Sequence, residues 1–451
     1  MKRFIVFISI VGIVLSCGMK DDVAFDPGEV DPGHLHRTMK KITDIIVHDI
    51  FSPPVASRIY AYSSIAAYEA AVPGNPNFVS LAGQLHGLEE LPKPDSAKQY
   101  CFELASVHAL AIVGKALIFS EADMQAFHDQ TLEEFKKSGM PKVMYENSIA
   151  YGSAVANHIL EWSGKDNYKQ TRTFEKYTVP LNDPGKWKPT PPAYMDGIEP
   201  SWNKIRTFVI DSASQFVPEP PTPFSTDVNS QFYKEALEVY EAVKSTNAEY
   251  EEIANFWDCN PFKMNVRGHV MFATKKISPG GHWINITNLS CKLANRDFFE
   301  TAEAYAMVSI ALADGFIVCW DEKYRSKLVR PETFINQYID EDWLPLLQTP
   351  PFPEHTSGHS VISTSAADVL TALFGDNFHF VDSTELEFGL PARTFSSFKQ
   401  ASDEAAISRL YGGIHYRPAI DEGVKQGHQV GDWVLTHVRT RKDQLAWKDK
   451  P

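Results

Sequence analysis

The segments Trp320-Asp-Glu-Lys-Tyr-Arg-Ser-Lys-Leu-Val-Arg-Pro331, Thr356-Ser-Gly-His-Ser360 and Ser408-Arg-Leu-Tyr-Gly-Gly-Ile-His415 decide how the rest of this chain is read. They bring Lys323, Arg330 and Arg409 into an otherwise apolar, helix-patterned region. A tetrahedral oxyanion needs many donors: Lys323 offers a point charge, and Arg330 and Arg409 offer planar forks that can grip two oxygens at once. Ser357 and the N–H of Gly358 stand where a helix should begin near His359, and the free N–H groups of a helix start favour an anion. Glycine at 358 lets the backbone approach closely. His359 and His415 are then the groups able to move protons near neutral pH or to bond an electrophilic centre. Lys323 and Arg330 lie two helical turns apart, but Arg330 precedes Pro331 and is pushed out of the α region. The spacing therefore predicts Lys323 at a helix end and Arg330 on the following loop, with Gly412-Gly413 allowing a break before His415.

Outward from these segments the pattern is helical. Met39, Ile42, Ile45, Ile46 and Ile50 recur at three and four residues. Ser52-Pro53-Pro54 ends that helix and opens a second, closed by Pro73-Gly74. Further helices are predicted at about 97–119, 121–138, 143–162, 230–244, 248–257, 297–321, 359–374 and 402–411, with one short strand at 378–381. Residues 164–228 differ, being rich in Pro, Lys and aromatics. They are expected to form a long irregular excursion that wraps the core or roofs the site. The fold class that follows is all-α, a helical bundle, with residues 34–451 as one mainly helical domain.

At 451 residues and 43% apolar the chain can bury a large core. A net charge of -14 argues against a nucleic-acid or anionic-membrane surface, so any anion must be held by a local basic cluster. Cys101, Cys259, Cys291 and Cys319 show no CxxC spacing and sit in apolar settings, which predicts buried free thiols. No HExxH, Walker loop or dinucleotide GxGxxG is present.

Read as Lys-x6-Arg-Pro, Ser-Gly-His and Ser-Arg-x5-His, the segments resemble the three signatures of the type-2 phosphatidic acid phosphatase superfamily. The chain looks most similar to its vanadium-dependent haloperoxidases, the bacterial iodoperoxidases in particular. That resemblance implies the bundle of the haloperoxidase and acid phosphatase type, with vanadate as cofactor and phosphate able to occupy the same site. His415 would ligate the metal. Lys323, Arg330, Ser357, Gly358 and Arg409 would hold the oxygens, and His359, with His415 and Lys323, would be catalytic. Hydrogen peroxide and a halide, iodide favoured and bromide possible, would be the substrates, and hypohalous acid the product. Trp320, Phe352 and Phe262 would line the halide side. Trp257-Asp258 resembles the family's tryptophan and an aspartate that pairs with the third-motif arginine, so Asp258 is a candidate partner of Arg409, and Asp321 another supporting carboxylate.

Two alternatives use the same residues. In the phosphatases the histidine at 415 would attack phosphorus and the one at 359 protonate the leaving alcohol. There the third motif continues His-x3-Asp, whereas this chain has Ala419, with Asp421 the nearest following acid. A nucleophile suffers more than a ligand from a lost orienting acid, which favours the peroxidase and leaves open what holds the His415 imidazole. The other alternative is a surface lipoprotein that binds an oxyanion without turnover.

The amino terminus reads as a targeting segment. Lys2 and Arg3 precede an apolar run, Phe4 to Leu15, too short to span a bilayer. Leu15-Ser-Cys17-Gly18 resembles a bacterial lipobox with Cys17 lipidated, and Lys20-Asp21-Asp22 resembles the acidic export signals of some surface lipoproteins. Residues 1–16 are then a signal peptide and 17–33 a tether. The expected location is the bacterial cell envelope, as an outer-membrane lipoprotein facing the periplasm or the cell surface, with the lipid as its sole membrane contact.

Overall fold

The computed structural model describes residues 25–180, 182–245, 247–267 and 269–443. Cys17 and the leader lie outside them. The fold is organised around the helix Phe298–Ser326, opened by a capping box in which Asp297 and Glu300 satisfy each other's backbone N–H groups. This helix is long and apolar enough to cross a membrane, yet its apolar window is wholly buried within the protein. It is a core helix, and its neighbours are Pro53–Ala71, Pro279–Leu293, Gly358–Phe374 and Arg417–His437. Every residue of Pro53–Ala71 is buried. Small side chains allow that closeness, and Ser64 and Ser309 exchange a hydroxyl hydrogen bond of 3.0 Å across the contact.

The helix Arg417–His437 packs on Gly358–Phe374 through Gly423, Gly427 and Gly431, spaced one helical turn apart. A β-carbon at Gly427 would come within 2.6 Å of the Val361 carbonyl, and one at Gly423 within 2.8 Å of the Ser360 β-carbon. Only glycine fits at that separation.

Helices stand close to the predicted places at Gly33–His48, Phe102–Ala116, Glu121–Lys137, Lys142–Ser163, Gln231–Lys244, Ala248–Phe256 and Phe398–Tyr411. The predicted strand is Phe380–Asp382, paired antiparallel with Arg393–Phe395. Three further helices, Pro279–Leu293, Pro331–Tyr338 and Arg417–His437, and a hairpin of Met264–Arg267 with Val270–Ala273, were not legible.

Residues 164–228 wrap rather than roof. They hold a single helical turn, Tyr168–Thr171, and a 3-10 turn, Trp202–Lys204. The segment is tied to the core through its backbone. The N–H groups of Phe208, Val209 and Ile210 donate to the buried carboxylate of Asp314, and Trp320 and Tyr324 donate to the Ile198 carbonyl. The main apolar cluster includes Trp320 and Phe352, while a second contains Val329 and Tyr416, the neighbours of Arg330 and His415. The site lies at the seam between the two.

Candidate active site

Three cations converge here, each held by main-chain carbonyls. Lys323 sits in the last turn of Phe298–Ser326 and donates to the carbonyls of Pro353 (3.1 Å), Glu354 (3.0 Å) and Thr356 (2.5 Å). All its donors are thus engaged by the turn, and what it offers the site in this arrangement is charge. Arg330 is the extended N-cap residue of Pro331–Tyr338, as Pro331 requires. Its Nε donates to the Phe352 carbonyl at 3.0 Å and its Nη1 to the Ile414 carbonyl at 2.7 Å, with His415 Nε2 at 3.1 Å from the same Nη1. Nη2 is buried and has no partner. Arg409, in the last turn of Phe398–Tyr411, donates to Ser408 Oγ (2.8 Å) and the Trp257 carbonyl (2.7 Å). Burial pushes Lys323 down to about 8 and both arginines to about 10, values far below those of solvated side chains.

Ser357 caps the helix Gly358–Phe374, its Oγ accepting from the Ser360 N–H. A β-carbon at Gly358 would meet only Trp320, at 3.8 Å, so the space ahead of that backbone is cavity. His359 turns into the cavity with Nε2 buried and unpartnered. Burial, then the charge of Arg409, holds its value well below that of free histidine, so the ring is neutral.

His415 is oriented by Glu354. Its Nδ1 lies 2.8 Å from Oε1, and the Tyr416 N–H donates to the same oxygen at 2.9 Å. An oxygen that accepts from the backbone leaves Nδ1 as the donor, so the lone pair is on Nε2, facing Arg330. Burial, followed by the charges of Arg330, Lys323 and Arg409, keeps this ring neutral too. Sequence reasoning missed Glu354, although it is the only acid between Asp342 and Asp368. Its presence answers what holds His415 in place of an acid at 419. It also removes the argument from Ala419 against a nucleophilic histidine. Ala419 instead lends its carbonyl to the Ser357 N–H.

The cavity, about 30 Å3, is walled by Trp320, Phe352 and Phe262 together with Phe316, Pro350 and Gln348, which were not foreseen. Trp320 and Phe352 meet at 4.9 Å between ring centres, and Lys323 and Arg330 each lie 5.1 Å from the Phe352 ring centre. Asp258 lines the cavity, but its carboxylate is taken by Lys276 (2.6 Å) and Lys263 (3.3 Å), leaving Arg409 to the Trp257 carbonyl. The expected Asp258–Arg409 pair is therefore replaced by a longer-range attraction. Asp321 turns outward to Asn203 and Arg325.

The residues fit a tetrahedral oxyanion bonded to one imidazole. Arg330 Nη2 is a buried donor without a partner, Gly358 opens onto the cavity, and the His415 lone pair meets Arg330 Nη1 at the cavity edge. Comparison with known proteins agrees. Residues 303–444 match the family model for the VCPO second helical-bundle domain. A crystal structure described as the first bacterial vanadium-dependent iodoperoxidase is 53% identical, with a TM-score of 0.87, over 92% of this chain and 98% of that one. Two bacterial vanadium-dependent chloroperoxidase structures, holo and apo, share the fold at 17% and 16% identity with TM-scores of 0.64 and 0.63. They cover 86% of this chain, and 92% and 95% of their own. Curated proteins gave no match. The chain belongs to the vanadium-dependent haloperoxidases.

Proposed function

We propose that the chain oxidises halide with hydrogen peroxide, iodide preferred and bromide accepted, using vanadate held by His415 Nε2 and the surrounding cations. The observation that carries this reading is a neutral imidazole, fixed by Glu354 so that its lone pair points at Arg330, among buried cations whose hydrogen bonds go to carbonyls and a hydroxyl rather than to carboxylates. Arg330, Arg409, Ser357 and the Gly358 N–H would hold the oxygens, with Lys323 adding charge behind the turn. Vanadate there supplies a Lewis acid that activates peroxide. His359 Nε2 takes the peroxide proton and returns it to the departing oxygen. Trp320, Phe352 and Phe262 exclude water and give a soft anion polarisable walls. We further assign the protein to the bacterial cell envelope, tethered through lipidated Cys17, on the strength of the leader sequence.

Phosphate ester hydrolysis stays a second reading, because Glu354 would orient a nucleophilic His415 equally well. One preparation assayed with and without vanadate separates the two. Peroxide-dependent triiodide formation only with vanadate is the expected result. Robust phosphomonoester hydrolysis that vanadate inhibits would overturn it.

A further inference from the structure

Beside the cavity, three segments remote in sequence meet at a second buried cluster: Cys259, His282 and Glu385. Cys259 follows the helix Ala248–Phe256, His282 lies in the first turn of Pro279–Leu293, and Glu385 follows the strand Phe380–Asp382. The Cys259 Sγ and the Glu385 Oε1 each lie 3.4 Å from His282 Nδ1. Ligand atoms on a tetrahedral zinc, with bonds of about 2.0–2.3 Å, stand about 3.3–3.6 Å apart, so these spacings are those of a metal's coordination edges.

The protonation logic points the same way. His282 Nε2 faces Asp382 Oδ2 at 2.8 Å, while the other Asp382 oxygen accepts from Thr384. Nε2 therefore carries the proton, and the Nδ1 lone pair meets a sulfur and a carboxylate oxygen. Three electron-rich atoms facing one another need either a proton shared between them, as in a thiol S–H donated to Nδ1, or a metal ion. Glu385 Oε1 is buried and has no hydrogen-bond partner, its 3.4 Å approach to the ring lacking hydrogen-bond geometry. A carboxylate holding the far N–H of a ligating histidine is the usual support of a metal-bound imidazole.

We propose that Cys259, His282 and Glu385 bind a divalent metal, zinc before others, with Asp382 orienting His282. Thiolate with imidazole selects zinc over magnesium or calcium. Two anionic ligands balance the dication, and the one remaining negative charge, on Asp382, is set against the His282 N–H. Bound there, the ion pins Cys259, which lines the reaction cavity, to the helix and strand behind it. This inference is independent of the haloperoxidase reading, since none of the three residues belongs to the oxyanion set.

The test uses the full chain without vanadate, loaded with zinc and then dialysed against a mild chelator, with metal measured by mass spectrometry. About one zinc per chain should remain, and cobalt in its place should give a thiolate charge-transfer band and the strong visible bands of tetrahedral cobalt. Glu385→Gln keeps the shape and should weaken zinc by at least about 10-fold. Cys259→Ser should remove the thiolate band. Circular dichroism of the metal-free Glu385→Gln protein guards against misfolding. The proposal falls if wild-type protein retains no zinc, which would make the occupant a proton on Nδ1. It also falls if zinc is retained unchanged by both folded variants, which would place it elsewhere.

Discussion

Buried cations are treated in two ways within this molecule. Away from the site they are paired with acids: buried Arg58 Nε meets Asp166 at 2.5 Å, and half-buried Arg393 grips Glu404 with two bonds of 2.7 and 2.8 Å. At the site Lys323, Arg330 and Arg409 are buried more completely, yet their direct partners are carbonyls, a hydroxyl and an imidazole. The nearby acid, Glu354, is turned to His415, and Asp258 to two lysines. A carbonyl satisfies a donor without cancelling its charge. The first arrangement closes a core, and the second holds a positive charge ready for an anion that arrives later. Asp314 is the mirror image, a buried carboxylate held by backbone N–H groups.

Breaking an acid-paired cation should damage the fold and spare the chemistry. Asp166→Ala leaves Arg58 buried without its carboxylate, and should lower unfolding free energy by about 3–5 kcal/mol, while kcat below the melting range stays near wild type. Urea unfolding alongside triiodide kinetics checks this. Arg330→Met should do the reverse, cutting halide oxidation by roughly 100- to 1,000-fold with the vanadate-free protein still folded and cooperative. If Arg330→Met unfolds the chain as Asp166→Ala does, the site cations are structural and the contrast fails.

Asp314 sharpens the comparison through pH. Burial raises its value from 3.8 to about 6, so the folded protein binds this proton more tightly than the unfolded chain. Its contribution therefore declines as pH rises from about 4 to 6, by up to about 3 kcal/mol, and stays lost above. Asp314→Asn, which does not titrate, should lack that decline, so the stability gap between variant and wild type narrows across the window. Parallel curves in urea unfolding at pH 4 to 7 would contradict it.

Glu354→Gln should lower vanadate affinity by about 10- to 100-fold through a loosened His415, read by titrating activity against vanadate. The smallest effect belongs to Asp321→Asn, which faces Asn203 and Arg325 outside the cavity. It should leave turnover within about twofold and stability within about 0.5 kcal/mol; a loss like that of Glu354→Gln would return Asp321 to the site.

What was legible in the sequence follows from this division. Chemistry carried by side-chain type, such as Lys323, Arg330, Ser357-Gly358-His359, Arg409 and His415, shows in spacing alone. Helices with a one-sided apolar stripe show in their period. Pro279–Leu293 was missed because its first turns are buried on every side, polar His282, Asn285 and Thr287 included, and so carry no stripe, and Arg417–His437 because glycines stand where its contacts are made. Support given by backbone carbonyls, as by Phe352, Ile414 and Trp257, has no signature in residue identity at all. Asp258 was drawn to the wrong cation because Lys263 and Lys276 reach it only after the hairpin between them folds back.

The glycines at 423, 427 and 431 have a consequence for the whole pocket. Where two helices touch backbone to backbone, their distance is set by missing atoms, and no rotamer change can adjust it. The turn that carries Ser357 and Gly358 is hung from that contact, so it behaves as part of a rigid gauge. Side chains around the cavity are free to diverge and retune what enters, while the spacing between the anion's cradle and the imidazole opposite stays fixed.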